Sequence, residues 1–313
     1  MSTSVETMLY RSSDFDWEEY TASRPIYPKQ LYDIIFDYHS KAGGKYFRAL
    51  DVGCGPGTAT QVLAPRFSDE VVGIDVNEKQ LENAQKCLSH LEPKVHFKKS
   101  AAEDLAFVAD HSVDLIACAE AIHWINSAKF VSEAARVLAP NGTLAIWFYY
   151  PTVLIPSSAA ASSIHYRTMN ENFHRVVARS ARRAALSEFR DSWRSEADNI
   201  AFPVDQWKNE TRIRWNRQED NWYLLDSDHF VERIDKRGLE SEGYVEKSID
   251  DLDFMSRSFT PAQFRQYIRS IDIVHDDDWP EMDSALAEIR KFLEPSETID
   301  VSWIAGLIMT TRR

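Results

Sequence analysis

The stretch Leu50–Thr60, LDVGCGPGTAT, decides the fold. Three glycines, Gly53, Gly55 and Gly57, follow a short apolar run, Tyr46–Val52 (YFRALDV), that reads as a strand. Without a Cβ the backbone turns tightly and approaches a ligand closely, and a helix expected to begin near Thr58 points free N–H groups at that ligand. The spacing is G-x-G-x-G rather than the G-x-G-x-x-G of dinucleotide binders, and Asp51 stands two residues ahead of the first glycine. That carboxylate repels a diphosphate and attracts an ammonium group. An NAD-dependent oxidoreductase is disfavoured on the same grounds.

Outward from the loop, further β-prone runs alternate with helical patterns: Glu70–Asp75, Val95–Lys99, Val113–Cys118 and Thr143–Tyr149, with Leu81, Ala84, Gln85 and Leu88 on one helical face between them and Phe130, Val131, Ala134, Ala135 and Leu138 on another. Parallel strands need crossover connections, so this alternation implies an α/β fold with a doubly wound, mostly parallel sheet. Asp75 ends the second strand, where an acid either accepts from both hydroxyls of a ribose or caps the next helix. After the third strand comes Ser100–Leu105 (SAAEDL), where small residues followed by Glu103 and Asp104 can seat an adenine; an acidic pair in a loop is otherwise solvated.

These segments together resemble the class I methyltransferases that use S-adenosylmethionine. LDVGCGPGTAT is similar to that family's first motif, GIDVNEKQLENAQ (73–85) to its second, and SAAEDLAF (100–107) with DHSVDLIACAEAIHWI (110–125) to its third and fourth. More narrowly, SRPIYP (23–28), AEAIHW (119–124) and LAIWFYYP (144–151) resemble the trans-aconitate methyltransferase group and its fungal small-molecule relatives. The resemblance implies a Rossmann-like seven-stranded sheet, S-adenosylmethionine as methyl donor, and donor contacts from Asp51, Gly53, Cys54, Gly55, Gly57, Asp75, Val76, Ala102, Glu103, Asp104 and Glu120. It also implies an N-terminal segment, Phe15–Tyr27, that closes over the donor with Tyr20 and Arg24; the general expectation for a polar N-terminus is fraying.

His123 follows the fourth strand, on the side where strand ends face the ligand crevice, and is the expected general base; a buried or donor-contacting histidine is the other reading. Trp124, Trp147, Tyr149 and Tyr150 are candidates for an aromatic wall beside the acceptor and the donor sulfonium, with core packing at least an equal reading for Trp147, and Trp17 of the N-terminal segment is a candidate substrate contact.

The chain has 313 residues, 44% hydrophobic and 27% charged, within the range of one elaborated α/β enzyme. Its 36 basic and 49 acidic residues give a net charge of −13, which disfavours nucleic acid and anionic membranes as partners. No run reaches the length of a spanning helix and the N-terminus lacks signal-peptide order, so a cytoplasmic protein is expected. Cys54, Cys87 and Cys118 cannot all pair and show no metal-ligand spacing, so no metal is expected.

The expected organisation is an N-terminal lid and first helix (1–45), a donor-binding core (46–150), remaining core elements with a substrate-cap insertion (151–298), and a strand returning to the sheet (299–313). Within the third part, 157–163 (SSAAASS) reads as a hinge, loop or helix start. Residues 173–194 read as an amphipathic helix whose arginines are either solvated or attract an anionic substrate. Residues 211–215 are strand-like, a capped helix runs from Thr260 through Ile271, and Asp276–Asp278 form a solvated turn. The leading function is methyl transfer to a small-molecule acceptor, most simply to the oxygen of a carboxylate, enol or phenol. A protein or peptide methyltransferase and a non-catalytic donor-binding regulator are the alternatives.

Overall fold

The five apolar runs of the first half become adjacent strands, the central ones buried on both faces and Val95–Lys99 at the edge largely exposed. The structure is a computed structural model, and it describes residues 24–155, 195–217, 235–239, 241–270, 277, 279–291 and 298–313. The chain enters helix α1 (Lys29–Lys41), then β1 (Arg48–Val52), the short α2 (Thr60–Leu63), β2 (Glu70–Asp75), α3 (Glu78–Leu88), β3 (Val95–Lys99), β4 (Val113–Ala119), α4 (Ser127–Val137) and β5 (Leu138–Ile155). There follow β6 (Trp207–Trp215), β7 (Val245–Ile249), β8 (Ser256–Phe259), α5 (Pro261–Ser270), α6 (Trp279–Arg290) and β9 (Ile299–Arg312). The expectations for Trp17, Tyr20, 157–163, the arginine-rich helix and most of Asp276–Asp278 lie outside the described residues.

The strand order is β3-β2-β1-β4-β5-β9-β6-β7, with β8 added alongside β9. Neighbours from β3 to β5 and the pair β6–β7 run parallel, and β9 is antiparallel to β5, β6 and β8. This is the expected mostly parallel, doubly wound sheet. It has nine strands among the described residues, not seven, because β7 and β8 are added to the far half. β5 also continues past Tyr149 to Ile155, with a register shift between Tyr149 and Thr152, so Pro151 does not end it. Proline is accommodated at such an irregularity because its missing N–H falls where the ladder is already broken.

Helices cover both faces. One core gathers Leu31, Tyr32 and Ile35 of α1 with Leu115, Trp147, Trp303 and Phe264; the other gathers Leu50, Ile74, Ile116 and Phe148 with Phe130 and Val131 of α4. Strand alternation therefore separates Trp147 and Tyr149 from Phe148 and Tyr150. Helix α5 begins with a capping box: Gln263 N donates to Thr260 Oγ1 at 3.2 Å, and Thr260 N donates to Gln263 Oε1 at 2.9 Å. It is described as far as Ser270, and the expected limit at Ile271 lies outside the described residues.

β6 carries an ionic network into the second core. Arg212, fully buried, donates to Glu210 at 2.6 Å, to Asp198 at 3.2 Å and to the carbonyls of Ala197 and Ile200. Arg214 donates to Asp198 at 2.9 Å and lies 5.3 Å from the Phe148 ring centre. Residues 195–200 are thereby pinned beneath the sheet, with Glu196 and Ala197 both in the left-handed region. Removing one member of a buried ion network leaves its partners charged and unpaired. Arg212→Ala is expected to cost about 3–5 kcal/mol, read from urea unfolding midpoints; a loss below about 1 kcal/mol would show that water reaches the network.

Candidate active site

The glycine loop is built around two carboxylates. Gly53, Gly55 and Gly57 have φ of +66°, +51° and +89°. A Cβ at Gly53 would lie 2.4 Å from Ala121 Cβ, so the ends of β1 and β4 come together only over a glycine. A Cβ at Gly55 would meet nothing within 4 Å, so this part of the loop borders open space. The α-helix after the loop starts at Thr60 rather than near Thr58 and has only four residues. The Thr60 hydroxyl turns back to donate to Asp51 Oδ2 at 2.6 Å.

Asp51 is fully buried, and its Oδ1 meets no hydrogen-bond partner among the described residues. Burial, more than the bonds from Thr60 that oppose it, raises its carboxyl pKa to about 7. Tyr32 of α1 is also buried, with an unpaired hydroxyl pushed well above the usual phenol range by burial and then by the charge of Asp51. Nothing in the sequence reading singled out Tyr32 or Thr60; Tyr32 has the same helical spacing as the core residues beside it. An unpartnered carboxylate oxygen and open space at Gly55 suit a ligand that brings its own cationic donor.

Asp75 has two backbone partners. Gly55 N donates to its Oδ2 at 3.0 Å and Asn77 N to its Oδ1 at 2.8 Å, while the N-cap of α3 is Asn77, whose side chain accepts from Lys79 N and Gln80 N. Asp75 thus holds the glycine loop in place, and the capping role suggested for it belongs to its neighbour. Val76, 47% exposed beside it, offers an apolar surface. In the next loop Ala102 is buried, Glu103 accepts from Asn126 N at 2.7 Å and so fixes the start of α4, and Asp104 is exposed. Cys54 is buried and its thiol is pushed up, which makes it a packing residue rather than a nucleophile.

Glu120 joins the two faces of the sheet. It sits at the end of β4 with φ +51°, rare for a residue with a side chain. Its Oε2 accepts from Tyr149 N at 2.8 Å, and its Oε1 lies 3.3 Å from His123 Nε2. His123 is 4% exposed, in the 3₁₀ turn Ile122–Trp124, against Phe148. Trp124 in the same turn is 37% exposed. On the other face, Tyr27 packs edge-on to Trp147, with ring centres 5.7 Å apart, and lies 6.5 Å from Tyr149; Tyr32 meets Trp147 from α1 at 5.8 Å. The expected aromatic wall is therefore divided: Trp147, Tyr149 and Tyr27 form one part, and Tyr150 faces the opposite core. Arg24 donates to Tyr149 Oη at 2.9 Å and to Ser270 O at 3.2 Å, tying the segment before α1 to β5 and α5.

Comparison with known proteins agrees with this geometry. Residues 50–146 match the family described as "Methyltransferase domain". The chain is 30% identical to methyltransferase cfoB of Aspergillus candidus over the whole of both proteins. This chain belongs to the methyltransferase family. It is also 37% identical, over 45% of its own length and 47% of the relative's, to a Saccharomyces cerevisiae protein named as an S-adenosylmethionine-dependent methyltransferase. A solved structure from Anaeromyxobacter dehalogenans, named for a type II methyltransferase, shares the fold at 20% identity, with a TM-score of 0.57 over 91% of this chain and 97% of that one. The methyl donor is S-adenosylmethionine, and the orphaned Asp51 oxygen and the open Gly55 cradle fit it. Among the described residues no cluster of His, Cys, Asp or Glu could hold a metal ion, and no helix is long and apolar enough to cross a membrane.

Two outcomes follow from the carboxylates. With a carboxyl pKa of about 7 against ~3.9 in the unfolded chain, the folded protein holds an extra proton between these values, so stability falls as pH rises from about 4 to 7. A cationic donor favours the ionised form, so its binding at pH 6.5 is expected to release a proton, detected as a dependence of calorimetric heat on the buffer's ionisation enthalpy. Asp51→Asn should remove both effects; a release that persists would place the titrating group elsewhere. Asp75→Ala should weaken donor binding by about 1.5–3 kcal/mol, the range for losing charge-assisted hydrogen bonds. An unchanged affinity in a folded variant would leave Asp75 with the loop alone.

Proposed function

We propose that this chain transfers the methyl group of S-adenosylmethionine to a small-molecule acceptor, most simply to the oxygen of a carboxylate, enol or phenol, by in-line displacement. The observation that carries the reading is the bridge from Arg24 to Tyr149 and Ser270. It joins β5 to α5 beside the aromatic pair Trp147 and Tyr149, and a substrate that must pass beneath it is small. A protein substrate needs an open channel.

When bound, S-adenosylmethionine supplies an electrophilic methyl group. Asp51 holds the donor's ammonium group, Asp75 its ribose while fixing Gly55, and Val76, Ala102 and Asp104 flank its adenine. Burial of Trp147 and Tyr149 excludes water from the acceptor side, and alignment of this kind supplies about 7–11 kcal/mol of a barrier when geometry is right. Tyr149, held at its amide by Glu120 and at its hydroxyl by Arg24, fixes the acceptor's face. A phenol or alcohol must also lose a proton. Glu120, whose side chain is one-fifth exposed, meets the acceptor and takes its proton, while His123, with Nε2–H donating to Glu120 Oε1 across 3.3 Å, holds that carboxylate in place.

On a phenolic acceptor His123→Ala is expected to lower turnover about 10²-fold or more and leave donor affinity nearly intact. On a carboxylate acceptor the same change should cost acceptor binding and little turnover. Wild-type turnover and acceptor affinity in a folded variant would remove His123 from the mechanism. The function itself is tested by incubating the protein with radiolabelled donor and a cell extract. Label is expected in the small-molecule fraction, and label confined to protein would overturn the reading.

A further inference from the structure

The crossover from β3 to β4, Ser100–Ser112, runs through turns, and side chains of α4 hold its backbone. A parallel crossover is usually carried by a helix, which satisfies its own N–H and C=O groups. Here Arg136, in the last turn of α4, takes over that task. Its Nη2 donates to Leu105 O at 2.9 Å, and its Nη1 donates to Val108 O at 3.0 Å and to Asp110 Oδ1 at 2.6 Å. Its Nε and Nη2 also donate to Glu133, at 3.0 and 2.8 Å, and Glu133 Oε2 accepts from Leu105 N at 3.0 Å. All five N–H groups of the guanidinium are thereby used, in a planar fork that a lysine lacks.

This clasp fixes the peptide groups on both sides of Leu105, whose side chain is fully buried in the second core. Asp104, the residue before it, is exposed; its carbonyl accepts from Ser100 Oγ at 2.7 Å and its Oδ1 from Ala106 N at 3.3 Å. Glu103, one residue earlier still, accepts from the amide of Asn126, the N-cap of α4. Asp104 therefore stands between two anchors on a single helix, one at its start and one at its last turn. The hydrogen bonds from Arg136 hold the Glu133 carboxyl below its usual range, so the second anchor is an ion pair at neutral pH.

We propose that Arg136 and Glu133 are positioning residues for the donor's base: by fixing Leu105 they hold the Asp104 carboxylate where it accepts from the exocyclic amine of adenine. This rests on the proposed function, which sets the adenine beside Asp104, and extends it to two residues outside that loop. The amine of adenine donates, whereas the oxygen at the same position of hypoxanthine accepts. A carboxylate held in place tells the two apart, and one that can swing away does not. The clasp contributes base specificity without touching the donor.

The test compares S-adenosylhomocysteine with S-inosylhomocysteine, each titrated into the full chain by calorimetry. The wild type is expected to bind the adenosyl compound about tenfold or more tightly than the inosyl one. Asp104→Ala should remove that preference, and Arg136→Met and Glu133→Ala should each bring it within about threefold. Glu133→Gln, whose Oε1 still accepts from Leu105 N, should keep most of it. A merely structural clasp would weaken both ligands together, so folded Arg136→Met and Glu133→Ala proteins that keep the wild-type ratio would overturn the proposal. If Arg136→Met does not fold, Glu133→Ala, at a side chain one-quarter exposed, is read alone. Equal affinities in the wild type, or a preference that survives in Asp104→Ala, would overturn the proposal and leave donor binding intact. No binding of S-adenosylhomocysteine to the wild type would instead sink the methyltransferase reading, and the proposal with it.

Discussion

The close approach of Gly53 to Ala121 is the constraint on which the rest of the site depends. With no room for a Cβ between them, the ends of β1 and β4 are held at one separation, and the chain after Ala121 has to turn away at once. Glu120, one residue earlier, takes the left-handed conformation that permits this turn. That conformation aims its carboxylate between the two faces of the sheet, toward Tyr149 N on one side and His123 on the other. Tyr149 then sets Arg24, which lines a cavity with Met255 and Trp303. Each contact inherits its geometry from the one before it.

The core was legible in the sequence because short β-prone runs alternating with helical faces leave an unmistakable trace. β2 and β3 begin and end at the expected residues, β1, β4 and β5 are displaced only at their ends, and β9 was readable as an apolar run returning to the sheet. β7 and β8 were not. VEKSI and SRSF are short, carry charge or serine, and are largely exposed, so neither has the apolar alternation by which a strand is recognised. They exist because β6 and β9 offer them free edges, a tertiary cause that no local pattern reports. β5 past Pro151 is a similar case: the proline signals a stop that the neighbouring β9 overrides.

The site shows the same division. The spacing of Asp51, the glycines and Asp75 marked the donor end because backbone conformation and charge are written in residue type. What each carboxylate touches was not readable. Asp75 holds Gly55, and Glu103 holds the start of α4, duties visible only once distant loops meet. His123 was found by its place after β4, yet its depth follows from Phe148 packing over it. TRIRW was readable as a strand, but not the burial of its arginines, because a paired charge in a core has the same spelling as a solvated one.

β9 has a consequence for how the protein comes to exist. It pairs with β5, β6 and β8, and it follows all three in the chain. While a ribosome is still making the residues before Ile299, two long strands carry open hydrogen-bonding edges with nothing yet synthesised to fill the gap between them. Such edges recruit other chains. The nascent protein therefore passes through a stage in which its donor-binding half can be complete and its sheet is still divided, and the interval before the final strand is made is when a chaperone would be most needed.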